Sequence, residues 1–129
     1  MRDTFRKILG VRFYIADLEG LLDLIPGAGL VVVPSAPVMS RLAEDPAHRD
    51  ALEGADLAVT DSGFMVLLWL MRTGERVRRI SGLRLLRSLI DSGSFRAKGD
   101  TFWVMPSKAD SQANLEWLRG RGLDRKSVV

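Results

Sequence analysis

Apolar residues in the first third of the chain change from the spacing of a helix to the continuous run of a buried strand. Residues 18–25 predict a helix because their apolar side chains fall on one face, and the sequence PGAG then ends it. That face carries Leu18, Leu21, Leu22 and Ile25. Residues 30–34, LVVVP, predict a short strand that is buried on both faces of a parallel sheet.

The same alternation continues through the centre of the chain. A helix is predicted to begin near Ala36, with Ser35 as its N-cap. Residues 46–54 predict another short helix that ends at Gly54. Residues 55–61, ADLAVTD, then predict a second apolar strand.

Two further helices are predicted after this strand. Residues 63–74, GFMVLLWLMRTG, predict a helix that is closed by Gly74 and is apolar nearly all round, so that neighbours should cover it on several sides. Residues 83–93 predict an amphipathic helix. Its inward face is expected to carry Leu83, Leu86 and Ile90.

The last third of the chain predicts one more strand and one more helix. Residues 101–106, TFWVMP, have the pattern of a strand. Residues 107–122 predict a helix with Ser107 as its cap and with Leu115 and Leu118 facing inwards.

Alternating strands and helices of these lengths predict the α/β class, a Rossmann-like three-layer domain with a largely parallel sheet. We expect residues 1–123 to form a single domain that is incomplete at its C-terminus. Residues 124–129, DRKSVV, resemble a sequencing adapter translated in frame, and we interpret them as a non-native tail.

Composition and charge exclude several classes of site. The chain has 129 residues, 47% hydrophobic and 27% charged, without cysteine and with one histidine, His48, so it predicts neither a disulfide nor a histidine-rich metal site. No signal peptide is predicted at the N-terminus. Residues 64–71 are only about half the roughly 20 apolar residues that a membrane-spanning helix needs. The net charge is +3.

Six arginines fall within one central segment and could attract nucleic acid, anionic lipid or a diphosphate. They are Arg72, Arg76, Arg78, Arg79, Arg84 and Arg87. We interpret most of them as residues on solvated helix faces. No interleaved aromatic residues or zinc-ligand spacings support a nucleic-acid-binding module, and we predict no nucleic-acid partner.

Candidate chemistry lies where the first two strands end. In open parallel sheets, ligands bind beyond the carboxyl ends of the strands, next to helix N-termini. The sequences VPSAP and VTDSGF occupy those positions and bring Ser35, Asp61, Ser62 and Gly63 to one cleft. Asp61 could accept a proton from a hydroxyl nucleophile, or it could cap the following helix.

Other motifs for this aspartate fit poorly. A dehalogenase-type phosphatase needs a second aspartate two positions on, where Gly63 stands, and a receiver domain needs further acids and a late lysine. No glycine-rich phosphate loop of the Walker or dinucleotide type is present.

Five segments in order resemble the WecG/TagA/CpsF family of bacterial glycosyltransferases. They are GVRF (10–13), VVVPSAPVMSRLAEDP (31–46), ALEGADLAVTDSGFMV (51–66), RRISGLRLL (78–86) and FWVMPSKADSQANLEWLRGRG (102–122). The resemblance implies transfer of N-acetylmannosamine or a related sugar from a UDP-sugar donor to a polyprenyl-diphosphate-linked acceptor. It places the enzyme in the cytoplasm, at the inner face of the bacterial membrane, where the lipid acceptor provides the peripheral membrane contact.

The same resemblance assigns roles to individual residues. It makes Asp61 the general base of an inverting displacement and puts Arg79 beside the diphosphate leaving group, with Ser81 and Gly82 in the adjoining turn. A guanidinium suits that task because it stays charged and makes bidentate contacts with phosphate. The family implies no cofactor and no metal, and its members often form homo-oligomers.

The chain departs from the family pattern at three places. Val33-Pro34-Ser35-Ala36 stands where Thr-Pro-Asn-Ala is common, Arg84 stands near a usual acid, and Pro106-Ser107-Lys108 replaces a Gly-Gly turn. These departures leave a second hypothesis open, a non-catalytic α/β module that binds a phosphorylated ligand or a protein partner.

Overall fold

The chain forms two compact units in the computed structural model. They comprise Met1–Ser88 and Leu89–Val129. The structure describes residues 3–93, 102–121, 123 and 126–128. All seven residues singled out for a site lie in the first unit.

A four-stranded sheet forms the centre of the first unit. Its strands are β1 (Phe5–Ile8), β2 (Val11–Tyr14), β3 (Val31–Val32) and β4 (Leu57–Val59), and their order is β1-β2-β4-β3. The strands β1 and β2 are antiparallel, whereas β4 runs parallel to both of its neighbours, β2 and β3. The structure therefore confirms the α/β class and the largely parallel sheet.

The hairpin of β1 and β2 is an element that the apolar pattern did not predict. Leu9 and Gly10 connect the strands, with φ values of 50° and 85°, and Ile8 pairs with Val11. Two residues with positive φ form the turn whose twist matches that of the flanking strands. Gly10 was the sequence signal for this turn, but asparagine or glycine is more usual than leucine at the other position.

Five α-helices belong wholly or partly to the first unit as described. They are α1 (Leu18–Leu24, followed by a 3-10 turn at Ile25–Gly27), α2 (Ala36–Ser40), α3 (Pro46–Glu53), α4 (Gly63–Thr73) and α5 (Gly82–Asp91). The predicted ends at Gly54 and Gly74 are confirmed, and Gly74 adopts the left-handed conformation with φ 74°. Asp17 and Asp45 cap α1 and α3 through their side chains.

The helices cover both faces of the sheet. Phe13 and Ala58 lie in one core with Met39 of α2, Leu52 of α3 and Met65 of α4. On the opposite face, Tyr14 is buried beside α1, where a Cβ at Gly20 would collide with the tyrosine hydroxyl. The sheet is thus the middle of the three layers that the sequence predicted.

The predicted strand over residues 30–34 is shorter and more exposed than expected. Only Val31–Val32 are β-structure, and Leu30 and Val33 are each more than two-fifths exposed. Both residues are exposed because β3 is the outermost strand of the sheet and has a neighbour, β4, on one side only. Asp56 holds the start of β3 by accepting hydrogen bonds from the backbone N–H groups of Gly29 and Leu30 at 2.9 and 2.8 Å.

The expectation that α4 is covered on several sides is wrong for the first unit as described. Met65 is buried, but four apolar side chains of the helix are exposed. They are Phe64 (62%), Leu67 (51%), Leu68 (48%) and Met71 (75%). The sequence shows that this helix is apolar on every side, but it does not show how many neighbouring elements are available to cover it.

The inward face of α5 also differs from the prediction. Leu85 and Ile90 are buried, whereas Leu83 is 80% exposed and Leu86 is 40% exposed. Helical spacing fits more than one stripe here because five of the eight residues 83–90 are apolar. The pattern therefore predicted the helix but not its rotation.

The second unit pairs β5 (Phe102–Val104) in parallel with β6 (Lys126–Val128) and contains α6 (Lys108–Gly120). Ser107 caps α6, since its Oγ accepts a hydrogen bond from the Asp110 N–H at 3.1 Å. Leu118 is buried with Ile90, Met105 and Leu123, which confirms its predicted inward position, and Leu115 is half-buried. Thr101 and Gly122, which the predictions included, lie outside the described residues.

Candidate active site

The carboxyl ends of β3 and β4 form the edge of the sheet where chemistry was expected. The two strands are parallel neighbours, so the segments that follow them leave the sheet on the same side. Helix α2 begins after β3 and helix α4 begins after β4. The polar residues between strand and helix therefore come together at this edge.

Ser62, rather than Asp61, caps α4. The Ser62 Oγ accepts a hydrogen bond from the Met65 N–H at 3.1 Å, and Ser62 has the extended backbone of an N-cap. Asp61 lies one residue earlier, and its backbone N–H donates to the Val59 carbonyl at 3.0 Å. The interpretation of Asp61 as the cap of α4 is therefore wrong, because Ser62 caps the helix. The interpretation of Asp61 as a proton acceptor stays a prediction.

Arg79 is held against Asp61 by two contacts of different strength. Its Nε donates to the backbone carbonyl oxygen of Asp61 at 2.5 Å, and its Nη2 lies 3.4 Å from the carboxylate Oδ1. Both side chains are partly exposed, 56% for Arg79 and 39% for Asp61. The ion pair contributes little to stability in such surroundings, and both charged groups remain accessible to a ligand.

Thr60 anchors the segment that carries Arg79. The Thr60 side chain is fully buried, and its hydroxyl donates to the Arg78 carbonyl at 2.5 Å. The Ile80 N–H donates to the Thr60 carbonyl at 3.0 Å, and the Ile80 side chain is buried. Arg79 is therefore fixed on both sides along the chain. Sequence reasoning missed Thr60, although a threonine at the end of an apolar strand was a visible signal.

Gly82 allows α5 to begin directly beside the Asp61 carboxylate. A Cβ at this position would lie 3.1 Å from Val33 Cγ1 and 3.5 Å from Asp61 Oδ2. The preceding Ser81 accepts a long hydrogen bond of 3.4 Å from the Arg84 N–H and so starts the helix. The absence of a side chain at Gly82 leaves room next to the carboxylate oxygen.

Gly63 also lies close to a side chain of the candidate site. A Cβ there would meet Arg79 Cδ at 3.7 Å, an ordinary contact distance, so Gly63 lies directly against the arginine side chain. Asp61, Ser62, Gly63, Arg79 and Gly82 consequently form one continuous surface.

Ser35 lies at the same edge of the sheet but is less closely integrated. It occupies the predicted N-cap position of α2, yet its side chain makes no capping hydrogen bond and is exposed. Val33, two residues earlier, is the residue after β3 that approaches Gly82. A valine side chain at this position offers no hydroxyl group to a ligand.

The other ionisable residues show a dispersed arrangement. Among the described residues there is no group of three or more His, Asp or Glu side chains placed to hold a metal ion. The six central arginines are all exposed. No described helix is both long enough and apolar enough to cross a membrane.

The first unit is thus an α/β domain with an exposed carboxylate and a backbone-anchored guanidinium at the carboxyl edge of its parallel strands. Residues 6–118 match the model of the glycosyl transferase WecG/TagA/CpsF family, and the chain belongs to that family. This membership confirms the resemblance read from the sequence. It implies a sugar donor and an acceptor as substrates. A search of curated proteins gives no match.

Proposed function

We propose that the chain transfers a hexosamine-type sugar, such as N-acetylmannosamine, from a UDP-sugar to a polyprenyl-diphosphate-linked acceptor. The observation that carries the proposal is the pairing of Asp61 and Arg79 within a matched glycosyltransferase domain. The products would serve the synthesis of bacterial cell-surface polysaccharide. The reaction would take place at the cytoplasmic face of the membrane, where the protein binds its lipid-linked acceptor.

Asp61 is proposed as the general base. The acceptor hydroxyl would lose its proton to a carboxylate oxygen of Asp61 while its own oxygen attacks the anomeric carbon. The bond from that carbon to the UDP oxygen breaks in the same step, so the configuration inverts. The partial exposure of the Asp61 side chain and the absence of a side chain at Gly82, whose Cβ would lie 3.5 Å from Oδ2, support access of a hydroxyl group to Oδ2.

Arg79 is proposed as the partner of the departing diphosphate. Negative charge develops on the leaving oxygen in the transition state, and a fixed cation stabilises it most when no reorganisation is required. The hydrogen bond from Nε to the Asp61 carbonyl fixes the guanidinium, while its Nη2 makes only a long contact with the carboxylate. A phosphate oxygen can therefore compete for Nη2 without displacing the side chain.

Ser35, Ser62, Gly63, Ser81 and Gly82 are proposed to line the substrate cleft. Ser62 and Ser81 use their hydroxyl oxygens as acceptors for helix N–H groups, so each retains a hydroxyl hydrogen that can be donated to a substrate oxygen. Gly63 and Gly82 allow close approach of a ligand to the backbone.

UDP release from a UDP-hexosamine tests the proposal, measured with and without an acceptor analogue carrying a polyprenyl-diphosphate-linked sugar. We expect release to require both substrates and to form a product with inverted configuration. Donor binding without any transfer by the folded chain would contradict the proposed transferase. It would support the non-catalytic module that binds a phosphorylated ligand.

A further inference from the structure

An apolar groove runs along α4 on the core face of the sheet. Its volume is about 340 Å³, and Phe64, Leu68 and Trp69 of α4 form one wall. Met39 of α2 and Leu9 of the β1–β2 turn also line the groove. This size lies within the roughly 300–1,000 Å³ of small-molecule pockets.

One end of the groove adjoins the candidate active site. Phe64 follows Gly63, which lies against Arg79, and Ala36 at the start of α2 also lines the groove. The other end lies at the opposite edge of the sheet, because β1 is antiparallel to β2 and β2 is parallel to β4. Between Phe64 and Arg72 the stripe on α4 is about 12 Å long at 1.5 Å per residue.

The lining suits a long apolar chain, and the end that adjoins the candidate site has a cation beside it for an anionic group. Arg72 is the one charged side chain among the lining residues, all of which lie in the described part of the chain, and at the end away from the candidate site its aliphatic stem can pack against an apolar chain. The cation Arg79 stands just beyond the opposite end. A groove of about 340 Å³ can hold a single apolar chain, whereas a specific dimer contact buries about 800 Å² on each partner.

Leu9 provides independent support for a bound apolar chain. It is 64% exposed and has a φ of 50°, a conformation that a leucine rarely adopts. A strained backbone conformation of this kind persists at positions where the residue has a function. The Leu9 side chain lines the groove, so a ligand that covers it would explain why a leucine stands in this turn.

We infer that this groove binds the hydrocarbon chain of the lipid-linked acceptor, with the diphosphate of that lipid at the Asp61 and Arg79 end. The inference rests on the proposed function for the identity of the lipid. It assigns a second role to α4. The first turn of this helix borders the site, and its side chains Phe64, Leu68 and Trp69 hold the hydrocarbon chain. Trp69 is fixed in the groove wall because its Nε1 donates to Glu75 Oε2 at 2.9 Å.

Two adjacent leucines of α4 provide a matched test. Leu68 lines the groove and Leu67 does not, although the two side chains are similarly exposed. We expect Leu68→Asn to raise the KM for a long-chain acceptor about tenfold, since the bound chain loses one leucine contact. The KM for a short-chain acceptor should stay unchanged, and Leu67→Asn should alter neither value. An equal effect of the two substitutions, or no dependence on chain length, would overturn the inference.

A binding measurement separates this inference from the proposed transfer. In the Trp103→Phe/Trp117→Phe variant of the full chain, Trp69 is the remaining tryptophan, and a bromoalkyl phosphate should quench its fluorescence. Quenching that Leu68→Asn weakens and Leu67→Asn does not would support the groove even if no sugar is transferred. Transfer without such quenching would overturn it and leave the proposed function intact. Dimerisation that Leu68→Asn abolishes, again without quenching, would assign the groove to a second copy instead.

Discussion

Arg79 is bound more closely to the backbone of Asp61 than to its carboxylate. The Nε hydrogen bond to the Asp61 carbonyl measures 2.5 Å, whereas Nη2 lies 3.4 Å from Oδ1. The position of the guanidinium therefore does not depend on the charge of Asp61. Substitutions at the two positions can be interpreted separately, because changing the carboxylate leaves the anchor of the arginine in place.

Replacing Arg79 should reduce transfer strongly. We expect Arg79→Lys and Arg79→Gln each to lower kcat by about 10²-fold, a loss comparable to that of one transition-state hydrogen-bond donor. Lysine keeps the positive charge but lacks the planar guanidinium group, which can donate hydrogen bonds to the Asp61 carbonyl and to a phosphate at the same time. Steady-state kinetics with Arg76→Lys as the control checks this, since Arg76 is an exposed arginine of the same segment. Full activity of Arg79→Lys would show that charge alone suffices.

A methyl group at position 82 should impair catalysis more than folding. In Gly82→Ala the new Cβ lies 3.5 Å from Asp61 Oδ2, so it occupies space that the acceptor hydroxyl needs. Val33 is exposed and can move aside, and we expect the free energy of unfolding to change by less than about 1 kcal/mol. Transfer assays and urea denaturation measure the two effects. Gly27→Ala is the control because no atom lies within 4 Å of its added Cβ, and unchanged transfer by Gly82→Ala would contradict this role.

Loss of the Thr60 hydroxyl should destabilise the first unit. In Thr60→Val the shape is kept, but the Arg78 carbonyl loses the donor that now lies at 2.5 Å. Loss of this part-buried hydrogen bond costs about 0.5–1.5 kcal/mol. Urea denaturation should show this loss, and kcat should fall as well because the segment carrying Arg79 is less firmly held. Thr4→Val, at an exposed threonine, serves as the control. Equal stability of the two variants would refute the anchoring role.

Glu75 should make the stability of the chain depend on acidic pH. The hydrogen bond from Trp69, followed by the interactions with Arg6, lowers the pKa of Glu75 despite the opposing effect of burial. Its ionised form is thus favoured by folding. This contribution is fully present above the ordinary glutamate pKa and is lost as the pH falls through the lowered value.

Thermal unfolding of Glu75→Gln across this pH range checks the prediction. The variant should be less stable than the native chain at neutral pH, and the difference should shrink on acidification. Glu44→Gln, at an exposed glutamate after α2, is the control. A difference that grows as the pH falls would have the wrong sign.

The position of Asp61 and Ser62 at the edge of the sheet could be predicted because it depends on local rules. Asp61 and Ser62 follow an apolar strand, and the rule that ligands bind beyond the carboxyl ends of parallel strands made them candidates for a site. The approach of Arg79, some 18 residues later, came from the family resemblance, since spacing alone does not bring it to Asp61. Thr60 was missed because its contribution depends on the Arg78 carbonyl, a partner that is invisible in a pattern of side chains.

The errors concern burial, which depends on neighbours distant in the chain. The run at residues 30–34 has the composition of an inner strand, but its place at the sheet edge exposes Leu30 and Val33. In α5, two apolar stripes satisfy the helical period, and only packing selected Leu85 over Leu83. Element types were therefore predicted well apart from the hairpin of β1 and β2, whereas strand order and helix rotation were not.

The most direct test of the account is sugar transfer by Asp61→Asn, with donor binding measured separately on the same protein. The amide keeps the shape of the side chain, and the hydrogen bond from Arg79 to the backbone carbonyl is retained. Asp50→Asn, at an exposed aspartate of α3, is the matched control. We predict that Asp61→Asn binds the UDP-sugar as well as the native chain but transfers no sugar, while the control is fully active. Turnover by Asp61→Asn at the native rate would contradict the assignment of Asp61 as the base.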